Sequence, residues 1–354
     1  MSREIGIDLG TANVLIHLKG RGIVLNEPAV IAVNRQSREV IAAGRKAYEM
    51  QGRTSDHIQV IHPLQGGVIA DYDFAEALLV LLLKELPSRS WLARPKVLIS
   101  APSKVSDFQK QSLIDVVQKV TGGKIYIEEQ ILMAATGAGF DMNQSHGAMV
   151  IDIGGGTSDM AVLSGRDVLV NQSFEEAGQF FDQAIINYFS DHYQVLIGAR
   201  TAEMVKINLA TAIEVEDKLV ESFEISGRSL LNGLPTSLNA DSNDLYQALH
   251  SHLEILGQRA QRLLEDQSPE IAADIMEGGI ILTGGGALIS NLDTFLSNYL
   301  NVSVIQAEQP MNCVAIGTGL MLDLIESGKL STVQVSRKQR LRQLFQRIMR
   351  RLIG

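Results

Sequence analysis

Two stretches decide how this sequence reads: Ile5-Gly-Ile-Asp-Leu-Gly-Thr11 and Val150-Ile-Asp-Ile-Gly-Gly-Gly-Thr157. In each, alternating apolar residues end in an aspartate, and glycine and threonine follow. The alternation predicts a strand and the glycines a tight turn at its end. Apolar residues resume after both turns, in Val14-Leu-Ile-His-Leu18 and Met160-Ala-Val-Leu163. Each motif therefore predicts a β-hairpin, not the strand–loop–helix of a Walker-type phosphate loop. The aspartates, Asp8 and Asp152, lie 144 residues apart (152 minus 8), a domain's length. A hairpin duplicated at that distance predicts two similar α/β domains facing each other across a cleft.

Working outward, the remaining elements alternate as an α/β protein requires. Lys96–Ser100, Lys124–Glu128 and Gly279–Thr283 read as strands. Ala77–Leu83 reads as part of a buried helix and Ser106–Val120 as an amphipathic one with Ser106 as its cap. Small residues dominate a helix over Ile131–Gly139, and another runs from the Gly284–Gly286 turn through Leu300. The stretches 33–65 and 181–243 interrupt the two domains as insertions, the second with a short hairpin from Glu221 to Arg228 that resumes at Leu230. The expected division is 1–32, 66–143 and 310–330 for the first domain, with 33–65 inserted. The second takes 144–180 and 244–309, with 181–243 inserted, and 331–354 forms a linker and tail.

The glycine turns carry chemistry. Gly10-Thr11-Ala12-Asn13 and Gly154-Gly155-Gly156-Thr157 offer backbone N–H groups that can converge on phosphate oxygens, with hydroxyl and amide donors beside them. An aspartate at each strand end repels phosphate but suits a partly hydrated Mg²⁺. Thr283-Gly284-Gly285-Gly286-Ala287 adds a third glycine-rich turn. Neither G-x-x-x-x-G-K-[ST] nor G-x-G-x-x-G occurs, which excludes P-loop and dinucleotide-binding readings. His250 and His252 stand two apart on a helix and cannot share a face, so they predict no metal site.

With these motifs in hand, the sequence resembles the actin, heat-shock chaperone and sugar-kinase superfamily, and within it the MreB-type bacterial actins. The resemblance runs from about residue 4 to 325, in order, through Gly22-Ile-Val-Leu-Asn-Glu-Pro28, Gly67-Val-Ile-Ala-Asp71, Ala272-Ala-Asp-Ile275, Leu282-Thr-Gly-Gly-Gly-Ala-Leu288 and Cys313-Val-Ala-Ile-Gly-Thr-Gly319. It implies an actin-like fold: two duplicated ribonuclease-H-like domains around a nucleotide cleft, each with a smaller inserted subdomain. By position it implies ATP and Mg²⁺ as cofactors. Gly10, Thr11, Ala12 and Asn13 would clasp the phosphates opposite Gly154, Gly155, Gly156 and Thr157, with Asp8 and Asp152 organising Mg²⁺ through water. Glu203 and Lys206 would contact adenosine, and Gly284, Gly285, Gly286, Ala287 and Leu288 would floor the nucleoside site. Glu129, assisted by Thr157, would position the attacking water, since phosphoryl transfer asks mainly for positioning and charge neutralisation. The chain departs from the family pattern with Gln130 in place of a proline, Val14 in place of a threonine, and Ser158-Asp159 in place of Thr-Glu.

Charge and composition add a membrane expectation. The 354 residues are 45% hydrophobic and 20% charged, with Cys313 the single cysteine, which excludes an intramolecular disulfide. No apolar run approaches a membrane span, and the first residues show no secretory pattern, so a cytoplasmic protein is expected. Residues 337–354 carry six arginines, one lysine and no acid, or +7; the chain's −9 minus this +7 leaves −16 on the body. That acidic body argues against a nucleic-acid partner. Within the tail Leu341, Leu344, Phe345, Ile348, Met349, Leu352 and Ile353 recur at helical period. An arginine-flanked apolar stripe without acids is the composition of a helix lying on an anionic membrane surface. Trp91-Leu92, between Arg89 and Arg94, is a second lipid-facing candidate.

The family resemblance thus implies a membrane-associated ATPase on the inner face of the cell membrane. It would assemble with itself into filaments, pair its protofilaments antiparallel, and act with membrane proteins of the cell-elongation machinery to determine cell shape. Two other readings stay open at this point: a small-molecule kinase of the same superfamily, and a membrane adaptor resembling FtsA.

Overall fold

The apolar alternation of the opening motif becomes β1 (Glu4–Leu9), which turns at Gly10 and returns as β2 (Asn13–Leu18), with β3 (Gly22–Pro28) beside it. The computed structural model describes residues 4–86, 95–103 and 105–326. Strands β4 (Ile31–Asn34) and β5 (Val40–Ala43), helix α1 (Arg45–Met50) and strand β6 (Ile58–Ile61) follow, the three strands forming a small sheet of their own. A ribbon of β7 (Leu64–Gln65) and β8 (Val68–Ile69) leads to α2 (Tyr72–Lys84). Then come β9 (Lys96–Ala101), α3 (Asp107–Thr121), β10 (Lys124–Glu129) and α4 (Gln130–Gly137).

The second half repeats the plan with β11 (Gly147–Ile153), β12 (Ser158–Ser164), β13 (Asp167–Phe174) and α5 (Gly178–Tyr193). Its small sheet holds β14 (Val195–Leu196), then, after α6 (Ala199–Leu209), β15 (Ser222–Ser229) and β16 (Pro235–Asp241). Helices α7 (Ser242–Glu265) and α8 (Pro269–Gly278), strand β17 (Ile280–Thr283), helix α9 (Leu292–Leu300), strand β18 (Val304–Gln306) and helix α10 (Cys313–Glu326) complete the described chain.

The two large sheets are topological copies. Read from one edge they run β3-β2-β1-β9-β10 and β13-β12-β11-β17-β18. In each, the first two pairings are antiparallel and the last two parallel. Each half has its own core: Ile7, Ile16, Leu78, Leu82 and Leu113 in the first, Met149, Met160, Phe181, Ile185 and Phe189 in the second. A third cluster joins them, placing Met133, Val314 and Met321 of α4 and α10 between Leu98 and Tyr126 of one sheet and Val150 and Ala161 of the other. There α4 and α10 approach backbone to backbone: a Cβ on Gly317 would stand 1.9 Å from the Met133 carbonyl oxygen, and one on Gly137 1.8 Å from that of Cys313. Only glycine permits this approach, which explains the small residues read in the sequence.

Local signals behaved as their chemistry requires. Ser106 caps α3 in a reciprocal box with Gln109, and Gly122 in the left-handed region ends it. Two sequence readings need correction. The second arm of the β15–β16 hairpin begins at Pro235, not Leu230; residues 230–234 form the turn, where Gly233 takes φ 76°. After Gly284 the chain makes a short 3₁₀ turn over Gly285–Leu288, and the helix begins only at Leu292. Both errors have one cause: Leu230, Leu231, Leu234 and Leu288 are apolar but exposed, so hydrophobicity misreports their burial. Among the described residues no helix is long and apolar enough to cross a membrane. Trp91, Leu92 and the apolar stripe of the tail lie outside the described residues.

Candidate functional site

β1 and β11 end in equivalent places, and their aspartates line one cavity of about 310 Å³, within the size of small-ligand sites. In both sheets the neighbouring parallel strand supplies a hydroxyl to the aspartate: Ser100 of β9 donates to Asp8 Oδ1 at 3.1 Å, and Thr283 of β17, in register with its aspartate, to Asp152 Oδ1 at 2.9 Å. Asp152 has a further donor from the opposite half, Gln130 Nε2 to Oδ2 at 3.1 Å. Burial, and next the Asp152 carboxylate, push Asp8 up to about 7, against the Ser100 hydrogen bond. Burial also raises Asp152, while Gln130 and Thr283 pull it back.

The two glycine turns meet over these carboxylates. A Cβ on Gly155 would lie 2.5 Å from the Ala12 Cβ, and one on Gly156 2.6 Å from Thr11 Oγ1, so the loops interlock only because these positions are glycine. Thr11 Oγ1 accepts from the Gly67 amide at 2.9 Å, and Thr157 Oγ1 donates to Asp159 Oδ2 at 3.1 Å. Gly10, Thr11, Ala12, Asn13, Gly154, Gly155, Gly156 and Thr157 all line the cavity, as do Gly284, Gly285, Gly286 and Leu288. Ala287 is buried and outside the lining.

From α6, Glu203 and Lys206 line the same space. The Lys206 ammonium is already engaged, 2.7 Å from Asp182 Oδ1 and donating to the Gly178 carbonyl at 2.8 Å. Glu129 is different. It ends β10, accepts from Asn171 Nδ2 at 3.4 Å, and is not among the lining residues, whereas its neighbour Gln130 is. Sequence reasoning passed over Gln130, Gly67, Gly178, Gln179 and Asp182, all of which line the cavity. A signal existed for two of them: Gln130 is a departure from the family pattern, and Gly67 opens one of its matching segments.

The donor set fits Mg²⁺ with a polyphosphate. Two buried carboxylates that repel each other are in want of a cation. Among the described residues no cluster of three or more His, Cys, Asp or Glu is placed to hold a metal. Coordination would therefore be completed by water and phosphate oxygens, the usual manner of Mg²⁺.

Duplicated five-stranded sheets, joined through α4 and α10 and lining a common cavity with glycine turns, define an actin-like protein. The chain belongs to the MreB/Mbl protein family, whose model matches residues 2–329. It is 45% identical over 322 residues to the cell shape-determining protein Mbl of Bacillus subtilis, covering 91% of this chain and 96% of that protein. It is 39% identical over 331 residues to the cell shape-determining protein MreB of Escherichia coli K12, covering 92% and 94%. Among solved structures, MreB5 of Spiroplasma citri bound to ADP and to AMPPNP is 35% identical, with TM-scores of 0.87 and 0.88 over 93% of this chain and 98% of that one.

Proposed function

We propose that this protein is an ATP-hydrolysing cytoskeletal protein that forms actin-like filaments on the inner face of the cell membrane and helps set cell shape by organising wall synthesis. The observation that carries the reading is the meeting of two glycine turns, one from each copied sheet, over a buried carboxylate pair in a single cavity. Support comes from MreB5, which binds ADP and AMPPNP, and from relatives that determine cell shape.

In this reading the amides of Gly10–Asn13 and Gly154–Thr157 hold the phosphates of ATP from both sides. Asp8 and Asp152 would hold Mg²⁺, which would supply positive charge against the phosphates. Glu203 and Lys206 position the nucleoside above the Gly284–Leu288 turn. Glu129 and Thr157 orient the attacking water, Glu129 acting from the strand end where Asn171 holds it. Bridging both halves, the nucleotide biases them toward the form that assembles. Head-to-tail contacts then repeat into a filament, and many weakly binding tails, aided by Trp91 and Leu92, hold it to anionic lipid by avidity.

The test is sedimentation of purified protein combined with negative-stain imaging, with Mg–ATP or no nucleotide, with and without anionic liposomes. Filaments on lipid that require nucleotide, and that leave the lipid when 337–354 is deleted, are expected. ATP turnover with no filaments under any condition would contradict the reading.

A further inference from the structure

The halves of the molecule also meet away from the glycine turns and the α4–α10 cluster, through α1 and α6. Each helix is fixed to its own half. The backbone amide of Arg45 donates to Glu27 Oε2 at 2.7 Å, tying the start of α1 to β3. Lys206 of α6 sits 2.7 Å from Asp182 of α5. Between the helices, the Tyr48 hydroxyl donates to Glu203 Oε2. Arg200, one turn before Glu203, lays its guanidinium 5.1 Å from the centroid of the Tyr48 ring and donates from Nη1 to the Glu49 carbonyl at 3.1 Å. Tyr48 and Glu203 stand 155 residues apart in sequence.

We propose that Tyr48, Glu203 and Arg200 form a latch that holds the cleft closed over bound nucleotide and sets the rate of its release, with Tyr48 as a positioning residue for Glu203. The proposal rests on the nucleotide reading above. Glu203 lines the cavity and uses one oxygen for Tyr48; its other oxygen accepts from no protein donor among the described residues. Ligand and latch thus draw on the same carboxylate. A nucleoside that orders Glu203 strengthens the bond to Tyr48, and the bond to Tyr48 orders Glu203 for the nucleoside, as reciprocity of coupling demands. Burial, and next the hydrogen bond to Glu203, push the Tyr48 hydroxyl up to about 12, so it remains a donor at neutral pH. A hydrogen bond to a carboxylate is among the stronger kinds, and the stacked guanidinium adds a cation–π contact on the same ring.

The experiment follows release of radiolabelled ADP with Mg²⁺, chased by unlabelled ADP, from the full chain at a concentration too low for assembly. Tyr48→Phe keeps the ring and removes the donor; release is expected about tenfold faster, the scale of one charge-assisted hydrogen bond. Arg200→Gln is expected to speed release by a smaller factor. In a Glu203→Ala background, Tyr48→Phe should change nothing further, an outcome that general loosening of the fold would not give. If wild type binds ADP and Tyr48→Phe releases it at the wild-type rate, or speeds release equally in the Glu203→Ala background, the latch is wrong while the nucleotide reading stands. If wild type binds no adenine nucleotide, the nucleotide reading fails and the latch falls with it.

Discussion

Asp8 and Asp152 occupy equivalent ends of equivalent strands, and each accepts from a hydroxyl on the next parallel strand, Ser100 for one and Thr283 for the other. The copied backbone accounts for that symmetry. Gln130 breaks it: crossing from the first half, it gives Asp152 a second side-chain donor, while among the described residues Asp8 has only Ser100. Burial pushes Asp8 up to about 7 and raises Asp152 as well. A duplicated fold therefore builds two carboxylates alike in position and unlike in compensation. Asp8, with its single side-chain donor, is where a cation's charge has more to gain, while Gln130 helps hold Asp152 in place.

The strongest way to break this comparison is to separate the loops above the carboxylates. Gly156→Val drives its side chain into Thr11, and the loops can no longer interlock. Affinity for Mg–ATP is expected to fall by about 100-fold or more, while far-ultraviolet circular dichroism stays unchanged. Thr11→Ala, on the opposite loop, removes the hydroxyl that accepts from the Gly67 amide but keeps the backbone amides of the turn, and should cost far less.

Next in size is the charge on Asp8. Its folded pKa is raised above the unfolded value, so its contribution to stability is fully present at low pH and is lost as pH rises through about 7. The melting temperature of cation-free protein should therefore fall between pH 5.5 and 8. Asp8→Asn should flatten that fall and raise the pH 8 melting temperature by roughly 2–4 °C, while removing the response to Mg²⁺. Calorimetric melting across this pH range checks all three. A profile unchanged by Asp8→Asn would contradict the asymmetry.

The smallest effect sharpens the comparison from the other side. Gln130→Pro restores the usual family residue at the first position of α4, where proline is favoured, but deletes the donor to Asp152. The gain and the loss oppose each other, and the net change in unfolding free energy is expected within about 1 kcal/mol. Denaturant midpoints measure it.

How legible all this was follows from where the constraint resides. The paired motifs, the α3 cap and the small residues of α4 answer to backbone demands that act locally: strand alternation, turn glycines, an N-terminal acceptor, a helix without bulk. Such demands leave residue types behind in sequence. Gln130 on Asp152 spans 22 positions and Tyr48 on Glu203 spans 155, and nothing local requires either. The engagement of Lys206 by Asp182 was hidden for the same reason. Leu230 misled in the opposite sense, since the hairpin was expected to resume there and the chain instead makes an exposed turn.

The most direct test of the central claim, that the two halves clasp one Mg–nucleotide between their glycine turns, is titration calorimetry of ATP into the purified chain with Mg²⁺ and again with the cation chelated. One site per chain is predicted, with affinity that drops sharply on chelation. Absence of binding, or binding indifferent to Mg²⁺, would contradict the account.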